Sequence, residues 1–195
     1  ILLGGYNLFI YDIDLKKGKR LLNKGAKWSK NIKNLCTNCS IIITCLPSPE
    51  SVVNVIEKSE GLINFINKKH LWIEMSTTDE NEMKRLSKIV ELKGAEVLES
   101  PVTGGAHRSE TGNIAVFAAG KRKVFDRAFP ILSEMGYEIL YCGSQKINVS
   151  TFEEKCVRGV LVQHEKAAGW LGKNAIVATA LNPLIGYLIA TREQY

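Results

Sequence analysis

The stretch from Cys39 to Leu46 carries the unbroken apolar run Ile41-Ile42-Ile43, and Pro47 and Pro49 close it. A strand with one solvated face alternates apolar and polar residues, so a run without alternation suits a parallel strand covered on both faces. Parallel neighbours cannot be joined by a tight hairpin, and helices must carry the chain back between them. The rest of the sequence supplies those helices. Tyr6 to Tyr11 is aromatic and β-branched and ends at Asp12, which predicts a strand; from Leu15 the pattern is helical, with Leu21 and Leu22 inward and Gly25 closing it. A linking segment around Trp28 leads to the Ile41 strand, after which Val52, Val55, Ile56, Leu62, Ile63 and Ile66 recur at helical spacing as far as Lys68.

Leu71 to Met75 reads as a strand, and Asp79 to Leu92 as a helix with an acidic first turn and Gly94 as its C-cap. Ala95 to Leu98 and Asn113 to Ala119 read as strands, Lys121 to Glu134 as a helix, and Tyr137 to Tyr141 as a last strand. Such an order predicts an α/β fold, doubly wound, with a mostly parallel sheet and helices on both faces. Phe152 to Gly172 is one long helical stretch, and Asn174 to Leu181 is apolar before Asn182-Pro183. A boundary near Lys146 therefore separates a domain over 1–145 from a helical tail over 146–195.

No run of about 18 uncharged apolar residues occurs, so a membrane-spanning helix is not expected. Ile1 to Gly5 show neither an initiator Met nor the features of a signal peptide, and the chain reads as starting mid-gene. Five cysteines, an odd number on a chain with 45% hydrophobic residues, argue against a secreted disulfide scaffold and for a reducing cytoplasm. Cys36-Thr-Asn-Cys39 has the spacing of half a zinc site without a second half, so small residues beside a buried strand are the better reading and no metal is expected. The net charge of +6 is spread over single lysines on helix faces, which suits a solvated surface better than nucleic acid.

In a doubly wound sheet, ligands sit beyond the carboxyl ends of the strands. An acid at the end of a strand, Asp12, suits the ribose hydroxyls of an adenosine and repels a 2′-phosphate, favouring NAD over NADP; as a bland alternative it starts a turn or caps the next helix. Leu46-Pro47-Ser48 forms a loop stiffened by proline, and Ser76-Thr77-Thr78 offers hydroxyls and amides suited to a nicotinamide ribose or, equally, to N-capping. Ser100-Pro101-Val102-Thr103-Gly104-Gly105 pairs a hydroxyl with two glycines, which either turn N–H groups toward an anion such as a substrate carboxylate or make a plain tight turn.

Taken in order, Tyr-Asn-Leu-Phe-Ile-Tyr-Asp12, Cys-Leu46-Pro47, Ser76-Thr77, Ser-Pro101-Val102-Thr103-Gly104-Gly105 and Thr111-Gly112-Asn113 before Ala119-Gly120 resemble the 3-hydroxyisobutyrate dehydrogenase branch of the β-hydroxyacid dehydrogenases. The resemblance covers residues 1 to about 145. It implies a Rossmann-like domain, a small 3-hydroxy acid oxidised to its semialdehyde by hydride transfer to nicotinamide, and room for a homo-oligomer. It places Asp12, Leu46, Pro47, Thr77 and, more weakly, Ser51 on the cofactor, and Thr103, Gly104 and Gly105 on the substrate carboxylate.

Two departures accompany it. The family opens with a strand and a Gly-x-Gly-x-x-Gly loop, and Ile1 to Gly5 resemble only the end of the helix that follows. The sheet is thus expected to lack its first strand, which separates the Asp12 strand from the Ile41 strand, and cofactor binding by this chain is expected to be weak or absent. The family's catalytic lysine setting is altered too: Lys146, in Gly143-Ser-Gln-Lys146-Ile-Asn148, is a candidate on position alone and otherwise an exposed linker lysine. Residues from Phe152 to Gly159 and from Ala178 to Tyr187 resemble the C-terminal part of the class II fumarase and aspartase superfamily, without its active-site signatures. A lyase fragment and a non-catalytic Rossmann-like module are therefore the alternatives to the dehydrogenase.

Overall fold

The computed structural model describes residues 1–143, and the chain divides into two compact units, Ile1–Val97 and the part from Leu98 onward. The first unit begins with a two-residue strand β1 (Phe9–Ile10), helix α1 (Leu15–Leu22) and strand β2 (Lys27–Trp28), which pairs with β1 in parallel. The segment around Trp28, expected as a link, therefore contains a strand. Its cause is packing against α1: Gly18, buried on that helix, faces the Trp28 ring and Ile10, and only a glycine lets them approach. Asp14 caps α1 through the Lys16 N–H.

Helix α2 (Ile32–Asn38) follows, capped by the Asn31 side chain on the Asn34 N–H at 2.8 Å. Strand β3 (Ile41–Thr44) and strand β4 (Leu71–Glu74) then pair in parallel, with Ile42 beside Trp72 and Thr44 beside Glu74. Between them lie α3 (Pro49–Glu57), capped by Ser48, and a single 3-10 turn at Leu62–Asn64. One helix was expected as far as Ile66. It breaks because Gly61 lies against the Ile56 carbonyl, where an added Cβ would stand 2.4 Å from oxygen, and because the Asn64 amide donates to the carbonyls of Lys58, Ser59 and Gly61. Helix α4 (Glu80–Leu92) is capped by Asp79 on the Asn81 and Glu82 N–H groups, and Gly94, at φ +82°, turns the chain out of it as expected.

The strand buried on both faces is β4, all four of whose residues are buried, whereas Ile41 and Ile43 of β3 are half-covered. This corrects the expectation drawn from the triple isoleucine: among the described residues, β3 has a strand neighbour on one edge only. Ile42 and Trp72 join Val52, Ile56, Met83, Leu86 and Val90 in a single core, and each such fully buried aliphatic side chain contributes about 1.5–3 kcal/mol. His70, with no exposed surface, accepts the Asn67 N–H at Nδ1 and donates from Nε2 to the Cys36 carbonyl at 2.9 Å, tying α2 to the start of β4. As expected, β1 is separated from β3: β1 and β2 form their own sheet.

Strand β5 (Glu96–Glu99) runs across the unit boundary, its Glu96 N–H donating to the His70 carbonyl. The second unit continues with β6 (Val102–Thr103), the one-and-a-half-turn helix α5 (Gly105–Glu110), β7 (Ile114–Ala119), α6 (Arg122–Ser133) and β8 (Gly136–Gly143). The pairs Glu99 with Ala119, Val102 with Val116 and Thr103 with Ala115 share one antiparallel register. The segment from Glu99 to Thr103 is thus one line of pairing along β7, interrupted at Ser100-Pro101 because proline has no N–H to give. On its parallel side β7 pairs with β8.

Replacing Gly18 by Ala should raise helix propensity by up to about 1 kcal/mol, yet its Cβ would stand 2.8 Å from the Trp28 ring. Overpacking of this kind costs about 1–3 kcal/mol. Packing should win, and the urea midpoint of Gly18→Ala should fall at unchanged slope; an unchanged or higher midpoint contradicts the Trp28 contact.

Candidate functional site

Of the expected site residues of the first unit, Asp12, Leu46, Pro47 and Thr77 occupy loops after β1, β3 and β4, whereas Ser51 lies in the first turn of α3. Asp12 is half-buried, and its Oδ1 accepts the Asp14 N–H at 2.9 Å, so the carboxylate shapes the turn into α1 as the plainer reading held. Leu46 and Pro47 lead from β3 into α3. The Leu46 N–H donates to Ser76 Oγ at 2.7 Å, and the Met75 N–H to the Thr44 carbonyl at 2.8 Å, so the loops after β3 and β4 are fastened to each other. Ser51 is engaged locally: its N–H donates to Ser48 Oγ, and the two hydroxyls lie 2.9 Å apart within the α3 cap. Thr77 and Pro47 are exposed, and Thr78 Oγ1 is covered yet has no hydrogen-bond partner.

Beneath these loops lies a group that sequence reasoning passed over. Glu74, 1% exposed, ends β4. Its Oε1 accepts the Ser76 N–H at 2.6 Å, and its Oε2 accepts the Thr44 hydroxyl, which in turn accepts the Trp72 Nε1–H at 2.7 Å. Burial pushes the carboxyl above the usual carboxylate range, while the bonds from Ser76 and Thr44 pull the other way. The signal available in sequence was an acid inside Leu-Trp-Ile-Glu-Met, because a charge in an otherwise apolar strand needs partners.

Thr103, Gly104 and Gly105 belong to the second unit. Thr103 ends β6 and is exposed, while Gly104 sits at φ +127°, a conformation glycine accepts freely, and opens α5. Ser100, fully buried just before, has an Oγ without a partner. Lys146 lies outside the described residues. Cys36 is buried in the core, and burial first, then neighbouring Cys39, pushes its thiol up to about 11, so it stays protonated at neutral pH. Among the described residues no group of three His, Cys, Asp or Glu is placed to hold a metal, and no helix is long and apolar enough to cross a membrane.

Strand–helix alternation, a mostly parallel sheet and an acid and hydroxyl-bearing loops at the strand ends define a Rossmann-like dinucleotide-binding fold. Residues 1–143 match the family described as the NAD binding domain of 6-phosphogluconate dehydrogenase, and the chain belongs to that family. Among curated proteins it is 30% identical over 143 residues to an uncharacterized oxidoreductase of Bacillus subtilis, covering 73% of this chain and 50% of that protein. It is 31% identical over 140 residues to the mitochondrial 3-hydroxyisobutyrate dehydrogenase of Rattus norvegicus, covering 72% of this chain and 42% of that enzyme. The chain thus spans half or less of the length of these two relatives. Its structure is similar to that of 3-hydroxyisobutyrate dehydrogenase from Salmonella typhimurium, with a TM-score of 0.69 at 17% identity over 95% of this chain and 69% of that one. At that identity the likeness shows the fold.

The folded state binds the Glu74 proton more tightly than the unfolded chain does, because the carboxyl is raised. Its contribution to stability is therefore complete below about pH 4.5 and is lost as pH rises through the raised value. In urea melts across this range, the stability of the native chain minus that of Glu74→Gln should fall as pH increases from about 4.5; a difference independent of pH contradicts the raised carboxyl.

Proposed function

We propose that this chain is the cofactor-binding part of a β-hydroxyacid dehydrogenase of the 3-hydroxyisobutyrate dehydrogenase type, with NAD preferred over NADP. The observation that carries the reading is the family match over residues 1–143 together with the positions of Asp12, Leu46-Pro47 and Ser76-Thr77 after β1, β3 and β4. The arrangement fits a dinucleotide on one structural count: Thr78 Oγ1 is a covered polar atom without a partner, of the kind that a bound ribose or amide satisfies.

In this reading Asp12 receives the adenosine ribose hydroxyls, and its charge disfavours a 2′-phosphate. Leu46, Pro47 and Thr77 line the nicotinamide half, and Ser51 supports them from the start of α3. Thr103 and the backbone N–H groups of Gly104 and Gly105 take the carboxylate of a small 3-hydroxy acid. When bound, the nicotinamide supplies the hydride acceptor for oxidation of that acid to its semialdehyde. Lys146 is the proton-transfer candidate on sequence position alone. The same reading takes 1–145 as the dinucleotide-binding domain and 146–195 as a helical tail, expects a cytoplasmic protein and leaves room for a homo-oligomer. The lyase alternative rests on a tail outside the described residues, and the relatives named above are oxidoreductases.

The reading is tested by titrating the full chain with NADH and NADPH, following nicotinamide fluorescence. Weak but saturable binding of NADH, tighter than that of NADPH, is expected, and Asp12→Ala should narrow the preference by about tenfold, the size of one hydrogen bond to a charged group. If neither nucleotide binds saturably, the proposed function fails.

A further inference from the structure

We propose that Glu74 is a positioning residue for the nicotinamide half of the cofactor, holding the loops after β3 and β4 in one arrangement through Thr44 and Ser76. The inference rests on the function proposed above and deepens it. Glu74 occupies the end of a strand that is otherwise apolar, between Ile73 and Met75, and is 1% exposed. Enclosing a carboxyl there is unfavourable before its bonds are counted, and an apolar side chain of similar volume generally serves stability as well. A group kept at that cost needs a use that an apolar residue lacks.

Its geometry supplies one. Each carboxyl oxygen reaches an element that leads into a candidate cofactor loop: Oε1 takes the Ser76 N–H, one residue before Thr77, and Oε2 takes the hydroxyl of Thr44, two residues before Leu46. Ser76, oriented at its N–H by Glu74, accepts the Leu46 N–H at its own Oγ and so closes a ring of bonds between the two loops. Trp72 Nε1–H fixes the direction in which the Thr44 hydroxyl donates. Buried networks in which every member is satisfied hold one geometry rather than several. The exposed Thr77 and the partnerless Thr78 Oγ1 are thereby held at a fixed distance from Leu46 and Pro47.

Glu74→Gln separates this role from bulk stability, because the amide has the same shape and keeps an acceptor for the Ser76 N–H, but turns a donor toward Thr44. The full chain and the variant are titrated with NADH and, separately, with ADP-ribose, which lacks the nicotinamide. NADH affinity should fall about tenfold in Glu74→Gln, with ADP-ribose affinity unchanged within about twofold and the far-ultraviolet circular dichroism preserved. Ser76→Ala, which removes the acceptor of the Leu46 N–H and leaves the carboxyl in place, should show the same selective loss and decides the matter if Glu74→Gln does not fold. Equal weakening of both ligands, or weakening of neither, overturns the positioning role. A native chain that binds neither ligand fails the functional reading itself and takes this proposal with it, whereas a native chain that binds both with variants unchanged fails only the role of Glu74.

Discussion

A carboxyl group at the end of a buried strand persists only where each of its oxygens has a donor, and the Glu74 network sets that condition for the whole first unit. It requires the β3–β4 register that puts Thr44 beside Glu74. A slip of one residue would bring Ile43 to that position, leave the carboxyl oxygen and the Trp72 N–H unpaired, and turn the other face of β3 toward the core. The same register sets Ile42 beside Trp72, so the polar ring and the apolar core are consequences of one pairing.

From that pairing the loops follow. Capping side chains at Asp14, Asn31, Ser48 and Asp79 start the four helices α1 to α4 at defined residues and so set the length of the turns that lead into them. Ser48 and Asp79 cap the helices that leave the two loops joined by Leu46 and Ser76. A surface at the carboxyl ends of the strands results, bearing hydroxyls and an acid, and the proposed reading assigns it to the cofactor.

Much of this was legible in the sequence, for reasons that can be named. Leu71 to Glu74 and Asp79 to Leu92 are regular enough in burial and capping for periodicity to find them, and Gly94 announces a C-cap by itself. The loops after Asp12, Leu46 and Ser76 were legible because they follow strands directly. What escaped depends on contacts between distant residues. The two-residue strand at Trp28 exists because a neighbouring helix offers Gly18; α2 is too short for its periodicity to show, although Asn31 is an ordinary cap. The helix predicted through Ile66 stops at Glu57, and Gly61 then approaches the Ile56 carbonyl more closely than a residue with a Cβ could, an approach invisible to spacing. Ile41-Ile42-Ile43 misled because an apolar run measures affinity for burial and says nothing of how many neighbours a strand has. Glu74 and Thr44 are 30 residues apart, and only the register joins them.

The central claim is that the strand-end loops of the first unit form a dinucleotide site. Backbone amide resonances of the full chain, recorded during addition of NADH, test it most directly. Saturable shifts concentrated in Asp12–Asp14, Leu46–Ser51 and Ser76–Thr78, with the α4 amides beyond the first turn unmoved, are the expected result; shifts confined to other surfaces, or none at saturating nucleotide, would contradict it.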